Sequence, residues 1–271
     1  MTASIINERP SDAPAFGRFA GLGALVRKDA TEWVRGRRAG VVFAVSAIFM
    51  VLTAANAWIT ARVSEALPPD VQPPEMPGSF APLDNVLGAV SAQVFVLAAI
   101  FAVGSLIVGE RDRGTLAWVA SKPVSRGSIW ISKWLSASGI LAVSAVVAPV
   151  ALTVLAASVL YGIPEPGPVV VVTGGAIAEV AFYAALGLAA GTVLPGQPAI
   201  VATGFAVFAL APVVVGLVPL PVGPFLPTSI LAWSVGAATG ADVGWVTPIA
   251  WAAGTGGIVA LAVRRMGRLE L

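Results

Sequence analysis

The chain has 271 residues, of which 57% are hydrophobic and 11% are charged, a composition too apolar for a soluble domain. It contains neither cysteine nor histidine, which excludes a disulfide framework, a Cys or His metal site and the usual nucleophile–base pair. The sequence also lacks a G-x-x-x-x-G-K-[ST] phosphate loop, so we do not expect this chain to hydrolyse ATP.

The N-terminal segment, residues 1–38, begins with a polar tail and continues as an amphipathic stretch from about Phe16 onward. Apolar residues recur there at helical spacing, and basic residues are concentrated in the second half. This pattern is typical of a helix that lies in the membrane interface. The alternative is an ordinary basic flank of the first membrane span.

Membrane spans are predicted wherever ~20 mostly apolar residues follow one another. Six stretches meet this length: 39–61, 86–109, 134–163, 169–194, 199–218 and 243–263. Residues 219–242 are also apolar, but four prolines break their first half. We therefore expect only a short interfacial or re-entrant helix there, on the outer side. The predicted fold is all-α, a single six-span membrane domain over residues 1–271.

The distribution of basic residues predicts the orientation of these spans. Of the sixteen Lys and Arg residues, seven lie in 1–38, five in 110–133 and three in 264–271, which leaves Arg62 alone on the other side. Because basic residues favour the cytoplasmic side, both termini are predicted to be cytoplasmic. The outer loop 62–85 contains six prolines and is predicted to be extended rather than folded.

A polar segment interrupts the apolar spans in the middle of the chain. Residues 109–135 read GERDRGTLAWVASKPVSRGSIWISKWL and carry seven charges. We predict a short helix from Glu110 to Ala120 with Leu116, Trp118 and Val119 on an apolar side. Pro123 should end it, and Ser125 should cap a new helix that enters the third span.

This segment resembles the cytoplasmic signature of type-two ABC transporter permeases. That family typically shows E-R-E-x-G-T-L, then L-x-x-P-x-S-R, then G-K at the start of the third span. The present chain has Asp112 where Glu is usual, and Ser132 where Gly is usual before Lys133. The stretch V-R-K-D in 26–29, with the arginines that follow it, also resembles the elbow helix that precedes the first span in this family.

The resemblance implies a permease subunit that pairs with a second permease chain and with separate ATPase subunits, which bind the ATP. It implies export and a location in the cell membrane, with no cofactor in this chain and no nucleic-acid partner. The short length also resembles the permease that serves maturation of nitrous-oxide reductase. The residues expected to couple to the ATPase are Glu110, Arg111, Asp112, Gly114, Thr115, Leu116, Trp118, Pro123, Ser125, Arg126 and Lys133. The alternative for this loop is a charged anchor that only fixes orientation.

Glu179 is an acid in the middle of the fourth predicted span, where an ionised carboxylate costs at least a few kcal/mol. We predict that it faces the bundle or a water-filled cleft, on a translocation path that includes Asn56 and Gln93. The alternative is a structural hydrogen bond to Asn56, Gln93 or Tyr183. For the whole chain, the alternatives to an ATP-driven permease are a secondary transporter or channel, and a membrane scaffold.

Overall fold

A computed structural model of the chain describes residues 21–65, 68, 82–122, 124–217 and 222–268. The regular elements within these ranges are all helical, which confirms the predicted fold class. The α-helices are α1 Leu22–Arg35, α2 Arg38–Glu65, α3 Pro82–Ser91, α4 Val94–Val103, α5 Val108–Asp112, α6 Thr115–Ala120, α7 Arg126–Leu141, α8 Ala148–Leu160, α9 Pro166–Gly191, α10 Gln197–Leu217, α11 Ile230–Ala238 and α12 Val246–Arg268. The N-terminal tail and most of the predicted outer loop lie outside the described residues.

Six helical segments are long and apolar enough to cross a membrane, in agreement with the six predicted spans. They are Arg38–Asn56, Pro82–Asp112, Arg126–Leu160, Pro166–Gly191, Gln197–Leu217 and Val246–Arg268. Each lies within a few residues of its predicted position, except that the third begins eight residues earlier because Ser125 caps it. Hydropathy and length therefore locate the spans correctly.

Helix α9 lies at the centre of the bundle, where it contacts α4, α7, α10, α11 and α12. Its buried face is rich in small residues, among them Gly175, Ala176, Ala184 and Gly187. Small side chains allow helix backbones to approach closely, which is how membrane helices commonly associate. By contrast, α2, α10 and α12 bury only a minor share of their residues and form the periphery.

Two of the spans are not continuous α-helices. The second is interrupted at Gln93, whose backbone adopts a left-handed conformation with φ of 53° between α3 and α4. The third contains a wide π-helical turn over Ala142–Val147, which ends two residues before Pro149. Proline lacks the backbone N–H that continues an α-helix, so an irregular turn at this place is consistent with Pro149.

The segment predicted to form an elbow helix contains the helix α1, which packs against α7. Its buried residues are Leu25, Asp29 and Trp33, which recur every four positions along one face. Val34, the neighbour of Trp33 on this helix, is exposed. The acidic residue Asp29 therefore lies in the middle of the buried face of α1.

The segment before the last span forms two 3₁₀ turns, Gly223–Phe225 and Pro227–Ser229, followed by the nine-residue helix α11. Gly175 of α9 allows this helix to approach, because a Cβ at that position would overlap Ser234. Likewise, a Cβ on Gly254 of α12 would lie 2.5 Å from Pro227. The segment is thus packed between α9 and α12, and α11 is too short to span.

Candidate functional site

The charged loop, residues 110–133, contains two short helices instead of the single helix predicted over 110–120. α5 ends at Asp112, and α6 begins at Thr115. Gly114 lies between them with φ of 69°, a left-handed conformation that glycine adopts without steric cost. The Thr115 hydroxyl donates to the Glu110 carbonyl oxygen at 3.2 Å and closes the turn. The single-helix prediction was wrong because Gly114 takes a turn conformation.

The third span begins as predicted at the Ser125 cap. Ser125 Oγ accepts a hydrogen bond from the backbone N–H of Ser128 at 3.0 Å, which satisfies a donor that the helix itself leaves free. Arg126, the first residue of α7, is exposed. Pro123 and the side chain of Leu116 lie outside the described residues.

The base of the charged loop is held by a group of five charged side chains that we term the ion cluster: Lys28, Asp29, Glu32, Glu110 and Lys133. Lys133 Nζ lies 2.7 Å from Glu110 Oε1 and 3.7 Å from Asp29 Oδ1. Ser132 Oγ donates to Asp29 Oδ2 at 2.9 Å. The side chains of Lys133 and Asp29 are 6% and 7% exposed. The cluster thereby joins α1, α5 and α7.

The carboxylates of Asp29, Glu32 and Glu110 bring ligand oxygens within 4.8 Å of one another, and the two ammonium groups offset their repulsion. Lys28 Nζ lies 3.2 Å from Glu32 and 3.9 Å from Glu110. Burial by itself lowers the pKa of Lys28, but Glu110, Asp29 and Glu32 raise it more, so its net pKa lies above the ordinary value. Lys28 therefore stays charged at physiological pH.

Arg111 links the charged loop to the short segment that joins α9 and α10. Its Nη2 donates to the carbonyl oxygen of Pro195 at 2.7 Å and to that of Leu194 at 3.4 Å. Asp112 is exposed, and its carboxylate lies 3.9 Å from Arg111 Nε. Arg111, expected from the resemblance to couple to the ATPase, thus binds backbone of the α9–α10 connection.

The predicted apolar side of the loop is divided between two faces of α6. Trp118 is 62% exposed, whereas Val119 is 8% exposed and belongs to the core. Lys122 Nζ lies 4.5 Å above the Trp118 ring, a cation–π arrangement. The expectation that Val119 shares the exposed apolar side was wrong, because adjacent residues of a helix point in different directions. Trp118 is the exposed aromatic of this helix.

Within the bundle, the buried Glu179 and the half-buried Gln93 form a polar pair, which we call the core pair. The Gln93 amide donates to the two carboxylate oxygens of Glu179 at 3.2 and 3.4 Å. Glu179 is 1% exposed. Two indole N–H groups reach the α9 backbone beside it: Trp251 bonds the Ala178 carbonyl at 2.9 Å, and Trp134 bonds that of Ala181 at 3.0 Å. Asn56, which was predicted to lie on the same path, is exposed on α2 and does not join this pair.

Comparison with protein families gives a match to the model described as ABC-2 family transporter protein over residues 24–232. The chain belongs to the ABC-2 transporter family. It is a membrane permease of an ABC transporter, and the match extends from α1 to α11. No curated protein matches the chain.

In this permease, the motif residues named from the sequence separate into two groups. Glu110, Arg111, Thr115, Ser125 and Lys133 make intramolecular contacts that hold the loop. Other residues of the loop are exposed at its surface, and Trp118 is the largest of these side chains.

The contribution of Asp29 and Ser132 was not predicted from the sequence. They lie 103 positions apart, and the hydrogen bond between them forms only when α1 packs on α7. A signal was nevertheless available. Asp29 occupies the middle position between Leu25 and Trp33 on the apolar face of α1, and an acid in that place requires a buried partner.

Proposed function

We propose that this permease is the membrane subunit of an exporter in the cell membrane, and that it works with a separate ATPase subunit and a second permease chain. The ATPase binds and hydrolyses the ATP, and it docks on the charged loop. The permease itself holds no cofactor and takes no nucleic acid as partner. Substrate crosses the membrane along a path that includes the core pair.

The observation that carries this proposal is the contrast within the charged loop. Its base is fixed by Glu110 and Lys133, which are 13% and 6% exposed, while Trp118 is 62% exposed on a helix outside the spans. Tryptophan is enriched among the residues that dominate binding at protein interfaces. An aromatic anchor on a rigid base, surrounded by charges of both signs, supports a docking surface for another protein.

The same assignment places the two termini and the charged loop on the cytoplasmic side. Fifteen of the sixteen basic residues then lie inside, as the distribution of charge favours. Helix α1 lies along the inner membrane surface as an elbow helix. Its exposed face carries basic residues such as Arg27 and Arg35, which suit an anionic lipid surface.

The segment before the last span is proposed to re-enter the membrane from the outer side. Ser234 contacts α9 at Gly175, nine residues from the start of that helix, and Pro227 contacts α12 at Gly254, eight residues from its start. At ~1.5 Å of rise per residue, both contacts lie about 12–14 Å along their helices. This depth supports a re-entrant segment over an interfacial one.

The core pair supports a role on the translocation path. A non-glycine residue in the left-handed region costs about 1–3 kcal/mol and persists only where the surroundings require it. At Gln93 this backbone break lies within the second span, opposite a buried carboxylate. Broken helices inside membranes occur where the backbone faces protein or a pathway rather than lipid.

The proposal is tested by purifying the affinity-tagged permease from its native membranes in mild detergent. We expect a chain with a phosphate loop to co-purify in stoichiometric amount, the eluate to hydrolyse ATP, and cross-linking to yield a permease dimer. An eluate with neither hydrolysis nor a phosphate-loop chain would favour an ATP-independent transporter, a channel or a scaffold instead.

A further inference from the structure

Two neighbouring spans touch at four successive levels with an almost constant offset in sequence. Gln93 contacts Glu179, 86 positions away, and Arg111 contacts Pro195, 84 positions away. Between these ends, Val103 faces Gly187 and Ile107 faces Gly191, and both of these pairs are 84 positions apart. A constant positive offset means that α4–α5 and α9 run parallel in a fixed register from the core pair to the charged loop.

The two middle contacts are close ones that favour glycine. A Cβ built on Gly187 would lie 3.2 Å from Val103 Cγ1, and one built on Gly191 would lie 3.2 Å from Ile107 Cβ. Both distances are tighter than ordinary van der Waals contact, so a side chain at either position would require its neighbour to shift by a few tenths of an ångström. Val103 and Ile107 are 1% and 2% exposed, which leaves them little room to move aside.

The two end contacts are polar and limit sliding. At one end, the Gln93 amide donates to a carboxylate that lies where no bulk water is available to replace it. At the other end, the Arg111 guanidinium donates to two backbone carbonyls beyond the last turn of α9. If one helix slid along the other, both polar contacts would break. Val103 and Ile107 would also lose their places opposite Gly187 and Gly191.

The junction between α4 and α5 is a short turn, residues 104–107, that keeps several helix-type hydrogen bonds. The backbone N–H groups of Gly104, Gly109 and Arg111 donate to the carbonyls four residues earlier, at 3.2, 2.9 and 3.0 Å, and that of Leu106 donates to Val103 at 3.0 Å. A displacement applied at Arg111 therefore meets only a four-residue hydrogen-bonded turn on its way to Gln93.

We propose that α4, α5 and α9 move as one unit, so that displacement of the charged loop is transmitted directly to the core pair. Arg111, Gly187 and Gly191 are positioning residues in this unit. The inference rests on the proposed function for the source of the displacement, since the ATPase is expected to move the loop. The direct coupling between loop and core pair is the new element.

The first test links the two helices covalently. Val103 Cβ lies 3.6 Å from a Cβ built on Gly187, within the usual Cβ–Cβ range of a disulfide, and the chain has no native cysteine. In the variant V103C/G187C, we expect ATP hydrolysis by the purified complex to be the same before and after reduction with dithiothreitol. If the oxidised protein is inactive and reduction restores hydrolysis, the helices must move against each other and the proposal fails.

The second test follows motion near the core pair. A single cysteine replaces Ala92, an exposed residue beside the break, and its rate of labelling by N-ethylmaleimide is measured with and without ATP and vanadate. We expect nucleotide to change this rate, and the change to be lost in Gly187→Ala and in Arg111→Gln. Gly174→Ala is the matched control, because a Cβ at Gly174 on the same helix meets nothing within 4 Å.

The double variant Gly187→Ala/Val103→Ala separates loss of transmission from misfolding. It removes the methyl groups that the new Cβ would meet, so we expect the nucleotide-dependent change to return. If labelling of Ala92→Cys without any second change is insensitive to nucleotide, while that complex hydrolyses ATP, the inference is overturned and the proposed function stands. A purified permease without any ATPase activity overturns the proposed function first.

Discussion

Lys133 Nζ lies 2.7 Å from Glu110 Oε1, so that the start of the charged loop is bonded to its end across 23 positions of sequence. Lys133 also faces Asp29 of α1 at 3.7 Å. One ammonium group therefore fixes both the loop and α1 to the base of the third span. The type-two permease signature, which this segment resembles, includes both Glu110 and Lys133. Their contact at 2.7 Å gives a physical reason why the two residues occur together in one motif.

Replacing Lys133 with Met should destabilise the permease strongly. The Glu110 carboxylate, 13% exposed, would lose its nearest cation, and the Asp29 carboxylate, 7% exposed, would lose one of its two ammonium neighbours at 3.7 Å. Loss of one partner from a buried ion pair typically costs about 3–5 kcal/mol. We expect a clearly lower midpoint of thermal unfolding, measured by tryptophan fluorescence of the protein in detergent. The control is Lys122→Met, at an exposed lysine of the same loop, and equal midpoints for the two variants would contradict the account.

Replacing Asp29 with Asn should loosen α1 while the spans stay folded. The substitution keeps the size of the side chain and its bond to Ser132, but it removes the attraction to Lys133 at 3.7 Å. We expect faster amide hydrogen exchange in α1 and little change in α9. Thr31→Ala, an exposed change on the same helix, is the control. Unchanged exchange in α1 would show that its apolar contacts suffice to hold it.

The proposed orientation is testable because the chain has no native cysteine. Single cysteines that replace Asp70, Glu165 or Asp242 should be labelled by an impermeant thiol reagent added to intact cells. Cysteines that replace Arg113 or Arg265 should be labelled only after the cells are opened. Labelling of position 265 from outside would contradict a cytoplasmic C-terminus and the six-span orientation.

Replacing Glu179 with Gln should separate a transport role from a packing role. Glutamine has nearly the same size and can still bond Gln93, but it carries no charge. We expect the complex to assemble normally while stimulation of ATP hydrolysis by substrate falls. Glu165→Gln, at an exposed acid just before α9, is the matched control. Full stimulation in the Glu179 variant would assign the core pair to packing.

The features that sequence predicts well here are local or depend on composition. The spans follow from runs of apolar residues, which a bilayer requires at a fixed length. The cap at Ser125 follows from a side chain that bonds a backbone group three positions away. Neither inference needs knowledge of which helices are neighbours, and both agree with the structure.

The features that sequence did not predict depend on tertiary packing. The break at Gln93 lies within an apolar run, so hydropathy gives no sign of it, and its partner is 86 positions away. Asn56 was grouped with this pair because all three are polar residues within spans, yet it faces outward from α2. Val119 was placed on the wrong face because α6 has only six residues, too few for periodicity to fix a direction.

We propose that the charged loop binds the ATPase subunit, and Trp118 offers the most direct test of this binding. Trp118→Ala removes an exposed anchor that lies outside the spans, so insertion into the membrane should be unchanged. Loss of such an anchor typically costs ~2 kcal/mol or more of binding free energy. The matched control is Trp245→Ala, since Trp245 is 73% exposed but precedes the last span on the side proposed to be outer.

The decisive measurement is the amount of phosphate-loop ATPase that co-purifies with each variant at equal permease levels. We predict that Trp118→Ala reaches the membrane normally but loses the ATPase subunit, while Trp245→Ala retains it. Combining Trp118→Ala with Glu110→Lys should abolish retention and transport altogether. A double variant that keeps the ATPase and full transport would show that the loop only anchors the topology, and would contradict the account.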